Sequence, residues 1–298
     1  MVVLQTVFPV FVMIAIGYIL GKITEIDIKP IAFLSIYVLA PALFFSSLVK
    51  TNLTAAEFFQ IVGFIILLSS GTILLVKLWG KIEGWDPKTV KSVLLATLFP
   101  NCGYFGLPVL LFAFGEAGFE RGIIYCVFMN LLHNTLGVYL AAQTHLSPRE
   151  SLINVLKMPG LWAMSLGLGL TSLELTPPEM ILKPLEMMGE AVIPVMLVTL
   201  GVHLARVRVG ANIWLAGKVT TLRLVVAPLI GLLILYLFFD PTSLTSKVAL
   251  VESACPVAVA STMFSIQFNA RPELVSTAAL TSTIASIFTF ALILHFLV

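Results

Sequence analysis

The sequence predicts an all-α integral membrane protein of ten transmembrane helices in a five-plus-five inverted repeat, with helices 4 and 9 broken near the bilayer centre. Three observations carry this: the composition, the spacing of the apolar segments, and a register of prolines, glycines and lysines that recurs in the two halves. Of 298 residues, 59% are hydrophobic and 11% charged, with a mean hydropathy of +1.06; a soluble domain carries ~25% charged residues. Apolar segments of the roughly 20 residues needed to cross a bilayer run at about 2–21, 30–48, 57–78, 91–114, 121–144, 152–173, 180–204, 211–238, 246–268 and 273–297. The connections are short, so residues 1–298 are read as a single transmembrane domain. The amino terminus has neither the basic region nor the small-residue cleavage site of a secretory signal, so the first span is expected to be retained. Cys102, Cys126 and Cys255 all fall within spans, where a cysteine is most often a small buried apolar residue.

Net charge is +2, and its distribution carries more information than its size. If the spans alternate, one side bears eleven basic residues: Lys22, Lys29, Lys77, Lys81, Lys88, Lys91, Arg149, Lys157, Arg206, Arg208 and Arg271. The other bears four: Lys50, Arg121, Lys183 and Lys247. By the positive-inside rule the first side is cytoplasmic, which places both termini of this multi-pass inner-membrane protein outside.

The internal repeat rests on three pairs in one register. Pro9 and Gly17 in span 1 match Pro159 and Gly167 in span 6. Lys29-Pro30 with Pro41 in span 2 is echoed by Lys183-Pro184 with Pro194 in span 7. Lys91 precedes Pro100 by nine residues, as Lys247 precedes Pro256. The offsets are 150, then 153 to 154, then 156, so repeat one covers about 1–145 and repeat two about 152–298. Five spans per repeat is odd, so the second copy enters the membrane from the opposite side. Inverted repeats with broken helices at matching positions point to a secondary transporter whose site lies near the midplane.

The fourth span contains Phe99-Pro100-Asn101-Cys102-Gly103-Tyr104-Phe105-Gly106-Leu107-Pro108-Val109. Pro100 removes a backbone donor and biases Phe99 away from helix, and Gly103 and Gly106 lower helix propensity around it. Pro100 stands about ten residues into its span, near the bilayer centre at ~1.5 Å per residue, and Pro256 is placed likewise. Two half-helices would then present N-terminal N–H groups at mid-depth, where an anion is favoured. Ordinary proline kinks are the alternative, and for Pro41 and Pro194 the two readings stand level.

These residues resemble the fourth-helix signature of the auxin efflux carrier family, and Ala254-Cys255-Pro256-Val257-Ala258-Val259-Ala260 with Ser261 is similar to its ninth-helix crossover. The resemblance extends over the whole chain in length, span count and repeat layout. It implies a scaffold bundle and a transport bundle, helices 4 and 9 crossing at their breaks, export of small organic anions, and an architecture shared with sodium-coupled bile acid symporters. It assigns substrate contacts to Pro100, Asn101, Cys102, Gly103, Pro256 and Val257. It also leaves open a homodimer through the scaffold helices. Plant members carry a long loop between spans 5 and 6, where only about His145 to Ser151 stand here, so dicarboxylates and other small carboxylates join auxin-like anions as expected substrates. From the residue alone, Asn101 also reads as a helix cap. Ser46, Ser47 and Thr199 follow the breaks in spans 2 and 7, where small hydroxyls more often serve packing.

Ionisable residues inside spans are costly, so each is a functional candidate. Lys218 can snorkel to the interface. Arg223 lies deeper, to pair with Glu252 or Glu190 or to help bind the anion. Glu252, one turn before Pro256, adjoins carbonyls that the break leaves without helical partners, a hard-oxygen setting for a cation. The resemblance to the sodium symporters would complete that site with Asn101 and with Asn130 or Asn134. Sodium binding, proton carriage and a structural ion pair with Arg223 all remain open for Glu252. His133 lacks a second metal ligand at suitable spacing, and Asn130 and Asn134 share one helix face, as a polar stripe or as carbonyl ligands of a cation. No cofactor is expected beyond a sodium ion or proton for coupling, no metal beyond sodium at Glu252, and no nucleic-acid partner.

An enzyme is the rival class. Asp27, Asp86 and Asp240 all lie in connections, and neither G-x-S-x-G nor H-E-x-x-H occurs, so no protease or hydrolase constellation is built within the spans. A passive anion channel or a membrane sensor on the same scaffold is the other alternative.

Overall fold

The computed structural model describes residues 2–142, 153, 156–207, 210 and 212–297. The connection around His145 to Ser151 with Arg149, the start of expected span 6, and Arg208 lie outside the described residues. Nearly all of the rest is helical, and the only strand-like pairing among the described residues is an isolated bridge. We number the helices α1 (Val2–Ile23), α2 (Ile28–Leu48), α3 (Ala55–Ile82), α4 (Pro87–Leu98), α5 (Cys102–Ala141), α6 (Pro159–Ser172), α7 (Glu179–Ala205), α8 (Ile213–Phe238), α9 (Leu244–Ser253), α10 (Val259–Gln267) and α11 (Pro272–Leu297).

Among the described residues, six helices are long and apolar enough to cross a membrane, namely α2, α3, α5, α7, α8 and α11, and Val7–Ile23 of α1 is a shorter apolar helix. The difference in number from the ten expected spans, of which the fourth and ninth were expected to be broken, has a physical origin. Helix propagation stops at Phe99, before Pro100, and again at Ala254, before Pro256, leaving α4, α9 and α10 each too short to cross alone. Conversely, the 40 residues of α5 would extend ~60 Å at 1.5 Å per residue, twice the hydrocarbon core. The chain turns at Gly115, whose φ of 65° and ψ of −161° suit only glycine, and α5 is therefore two arms.

Three prolines inside helices are handled in one way. A proline has no N–H, and its ring collides with the carbonyl four residues back. Ahead of Pro41, Pro108 and Pro228 the ladder widens to a π-turn, at Ser35–Leu39, Cys102–Gly106 and Leu222–Val226. The residue just before each proline donates five residues back: Ala40 to Ser35, Leu107 to Cys102 and Ala227 to Leu222. Helix direction is kept, and the side chains in each bulge are re-aimed. A fourth π-turn at His133–Gly137 carries His133.

Close helix contacts fall where the sequence is small. Gly17 and Gly21 of α1 form a G-x-x-x-G face against α7, where a Cβ at Gly17 or at the facing Gly201 would overlap the partner backbone. Gly167 of α6 lies against Leu48 and Phe45 of α2 in the same manner. Apolar side chains such as Phe8, Ile23, Leu74 and Phe288 are exposed on the outer faces, as expected of a surface solvated by lipid.

Candidate functional site

The two interrupted segments meet. Pro100 and Val257 form an antiparallel bridge, closed by the Asn101 N–H donating to the Pro256 carbonyl at 2.8 Å and the Ala258 N–H donating to the Phe99 carbonyl at 3.0 Å. Each proline stands where no donor is required, because its neighbour donates instead. The Val257 N–H is taken by Ser282 Oγ of α11 at 3.1 Å. Extended backbone is thereby satisfied inside the protein, the condition for its survival at membrane depth.

The carbonyl ends are held by Arg223, which is 1% exposed and projects from the π-turn of α8. Its guanidinium donates to the carbonyls of Cys255 at 2.7 Å, Thr97 at 3.0 Å and Ser253 at 2.6 Å. One cation thus covers the C-terminal, partially negative ends of both α4 and α9. This corrects the expected ion pair: among the described residues Arg223 makes no salt bridge to Glu252 or Glu190. It also corrects the expectation of open carbonyls beside Glu252, since the guanidinium occupies them.

On one side of the crossing lies a cavity of about 320 Å³. Pro100, Asn101, Cys102, Gly103 and Tyr104 line it with Cys126, Asn130, His133 and Asn134 from the second arm of α5, and with Ala258, Val259 and Ala260 from the start of α10. Phe44 of α2, Pro159 and Gly160 of α6 and Met196 of α7 face them. Among the described residues, no lysine, arginine, aspartate or glutamate lines it. Asn101 is 3% exposed, its side chain does not cap the following helix, and its Nδ2 has no hydrogen-bond partner among the described residues. A buried amide without a partner costs about 1–3 kcal/mol. Asn101's own carbonyl accepts from Phe105 and Gly106 at 3.1 Å, which leaves the first N–H groups of α5 ahead of the helical ladder.

His133 is fixed by stacking on Phe99, with ring centroids 4.2 Å apart, and by Ser261 Oγ at 3.1 Å. Ser261 spends its own proton on the Leu95 carbonyl at 2.9 Å, so it accepts from His133, and His133 carries its hydrogen on Nε2. This chain ties α4, α5 and α10 together. Asn134 Nδ2 donates to the Asn130 carbonyl at 2.9 Å, and Asn130 Nδ2 to Cys126 Sγ at 3.5 Å.

Glu252 is fully buried but does not line this cavity. Its carboxylate lies against Gly106 and Gly122, where a Cβ at Gly106 would overlap it. Cys255 Sγ donates to its Oε2 at 3.6 Å, and its Oε1 has no partner among the described residues. The structure thus brings Pro100, Asn101, Cys102, Gly103, Asn130 and Asn134 together around the cavity, places Pro256 and Val257 in the crossing itself, and leaves Glu252 and Arg223 outside the cavity lining. Sequence reasoning missed Ala258, Val259 and Ala260, although the start of the half-helix after Pro256 was a legible signal for them. Lys218 meets Glu83 at 2.6 Å beyond the end of α3, and this hydrogen-bonded ammonium holds the Glu83 carboxyl below its ordinary value. Ser46 and Thr199 donate to carbonyls of their own helices. Glu190 lines a separate cavity with Lys50, Glu116, Glu120 and Glu186.

Residues 2–153 and 142–294 match the model of a family described as Membrane transport protein. An "Uncharacterized transporter" of Methanothermobacter thermautotrophicus is 28% identical over 292 residues, covering 95% of this chain and 94% of that protein. An "Uncharacterized transporter" of Methanocaldococcus jannaschii is 25% identical, covering 98% of both chains. A "Putative malonate transporter" of Rhizobium meliloti is 26% identical, covering 97% of this chain and 94% of its own.

Proposed function

Because the chain belongs to the Membrane transport protein family, the auxin efflux carriers, we propose that it is a secondary active transporter carrying small organic anions by alternating access through the cavity at the paired breaks. The observation that carries this reading is the buried amide of Asn101, without a hydrogen-bond partner among the described residues, at a residue that lines a cavity whose described lining carries no lysine, arginine, aspartate or glutamate. A carboxylate entering there accepts from Asn101 and from the leading N–H groups of α5, neutral donors backed by a helix dipole. The matched relative named for malonate favours small carboxylates. Discrimination by neutral donors leaves the anion weakly enough held to depart, which a carrier requires.

The architecture proposed is ten crossings in two inverted repeats, with helices 4 and 9 broken and crossing at the midplane. In its support, span 1 packs on span 7 as span 6 packs on span 2, each through the repeat-related Gly17 and Gly167. The basic asymmetry supports an inner-membrane orientation with both termini outside, and export as the working direction rests on the resemblance to the auxin efflux carriers alone. For coupling, Arg223 already occupies the carbonyls a sodium ion would need, whereas Glu252 Oε1 is unpartnered, so the reading assigns Glu252 to a proton.

A screen of small carboxylates in proteoliposomes under imposed sodium and proton gradients, beginning with malonate, tests this. Saturable uptake driven by the proton gradient, together with counterflow, is expected, and conductance without counterflow would indicate a channel instead. Glu252→Gln keeps the shape and removes the titration; it should abolish proton-driven uptake while exchange persists. Full pH-driven uptake by this variant would end the assignment.

A further inference from the structure

A second cavity, of about 520 Å³, opens at the end of the bundle that carries most of the basic residues, and shares no lining residue with the first. It is built by three helix faces. Ile73, Lys77, Gly80 and Lys81 recur at helical spacing on α3; Val90, Lys91, Leu94 and Leu98 do so on α4; Leu136, Tyr139 and Leu140 close it from the second arm of α5. The turn joining α3 to α4 shapes its mouth. Gly84, with φ +66°, ends α3 in a Schellman motif in which the Trp85 N–H reaches back to the Gly80 carbonyl at 2.8 Å. A Cβ at Gly80 would lie 3.0 Å from Val90 and 3.2 Å from Trp85, so the absence of one lets the indole fold onto the cavity. Asp86 then caps α4, its carboxylate accepting from the Thr89 N–H at 3.0 Å.

Charge at this mouth is not balanced. Glu83 is engaged by Lys218 and Asp86 by Arg271. Among the described residues Lys77, Lys81 and Lys91 have no carboxylate partner within salt-bridge distance, and the Lys91 ammonium lies 5.1 Å from the centre of the Tyr139 ring. Below the lysines the wall is apolar: Leu94 and Leu98 run on from Lys91 for roughly 10 Å along α4 at 1.5 Å per residue, faced by Leu136 and Leu140. Leu74 and Leu78 beside it are exposed to the lipid side.

We propose that this cavity binds an anionic phospholipid, its phosphate on Lys77, Lys81 and Lys91, Trp85 at the glycerol level and an acyl chain along the leucine wall. A soluble phosphate would satisfy the ammonium groups and leave the apolar depth open to water. A zwitterionic lipid would fill the depth and leave the charge unmatched. The pairing of both features on one face fits a lipid of net negative charge, as basic pockets between transmembrane helices do at this interface.

The test uses the indole as its reporter. In the full chain with Trp79, Trp162 and Trp214 changed to Phe, brominated phosphatidylglycerol should quench Trp85 at a mole fraction well below that needed with brominated phosphatidylcholine. Each lysine contributes roughly fivefold and the three about a hundredfold. K77Q/K81Q/K91Q should remove the preference, whereas K88Q, a lysine outside the cavity lining, should keep it. Native mass spectrometry of the unsubstituted protein gives an independent readout: retained phosphatidylglycerol, lost in the triple variant. Equal quenching by the two lipids, a preference that survives the triple change, or displacement of phosphatidylglycerol by inorganic phosphate at equal concentration would each overturn the proposal, the last by identifying a free-anion site.

Discussion

Replacing Arg223 by Met should be the most damaging single change at the crossing. The side chain is 1% exposed and gives three short bonds to carbonyls of Thr97, Ser253 and Cys255. Hydrogen bonds to a charged group are worth about 1.5–3 kcal/mol each. Removing a buried charge returns part of its desolvation cost, so the net loss is roughly 3–5 kcal/mol. Met fills most of the volume, so the loss reports on the bonds. At the 2–4 °C per kcal/mol of a chain of comparable size, the melting temperature should fall by roughly 6–20 °C. Arg223→Lys should fall less far than Arg223→Met, because it keeps a charged donor, yet stay below the parent, because a single ammonium lacks the planar fork that reaches both α4 and α9. The assay is thermal unfolding of the purified protein in one detergent, followed by size-exclusion fluorescence. A Met variant that melts with the parent would refute the argument, since the two helix ends would then be satisfied without the guanidinium.

Two further outcomes follow from the packing and the caps. Gly201→Ala places a Cβ against the backbone of Ile14 and Gly17 and should cost about 1–3 kcal/mol as overpacking, whereas Gly169→Ala, with nothing within 4 Å, should be neutral or slightly stabilising; equal melting of the pair would contradict the close α1–α7 approach. Asp86 is lowered from 3.8 to about 2, first by the Thr89 hydroxyl and amide and less by Arg271. A depressed carboxyl stabilises the fold above its unfolded value and loses that contribution as pH falls through the folded one, so wild type should lose thermal stability between about pH 4 and about pH 2 more steeply than Asp86→Asn; parallel curves would remove Asp86 from the acid response.

How far the sequence could be read depends on the residue. Pro100 and Pro256 announced the interruptions because proline cannot donate and restricts its predecessor, although Pro41, Pro108 and Pro228 show that a π-turn can carry a helix past the same constraint. Asn101 stood out for its position beside one of them. The role of Arg223 was not legible: its depth said that it needed partners, but carboxylates are the partners a sequence displays, and the carbonyls it serves belong to every residue alike. The π-turns before Pro41, Pro108 and Pro228 were hidden for a related reason, since hydropathy counts residues and a one-residue bulge leaves the apolar run unchanged. The reversal within α5 falls in the expected connection between the apolar segments 91–114 and 121–144, and the positive φ of Gly115 shows where in that connection the chain turns. Glu252 was joined to the asparagines by the resemblance to the sodium symporters, whereas its carboxylate packs against Gly106 and Gly122 and does not line the cavity that Asn101, Asn130 and Asn134 share.

The account's central claim is that the cavity at the paired breaks holds the substrate anion through Asn101. Counterflow of the best carboxylate from the proteoliposome screen, measured for the parent and for Asn101→Ala at equal reconstituted amounts, tests it most directly. The account predicts saturable counterflow whose half-saturating concentration rises about ten- to a hundredfold in the variant, the loss of one hydrogen bond to a charged group, with melting temperature kept. Counterflow with unchanged half-saturation, or none with any carboxylate in the parent protein, would contradict it.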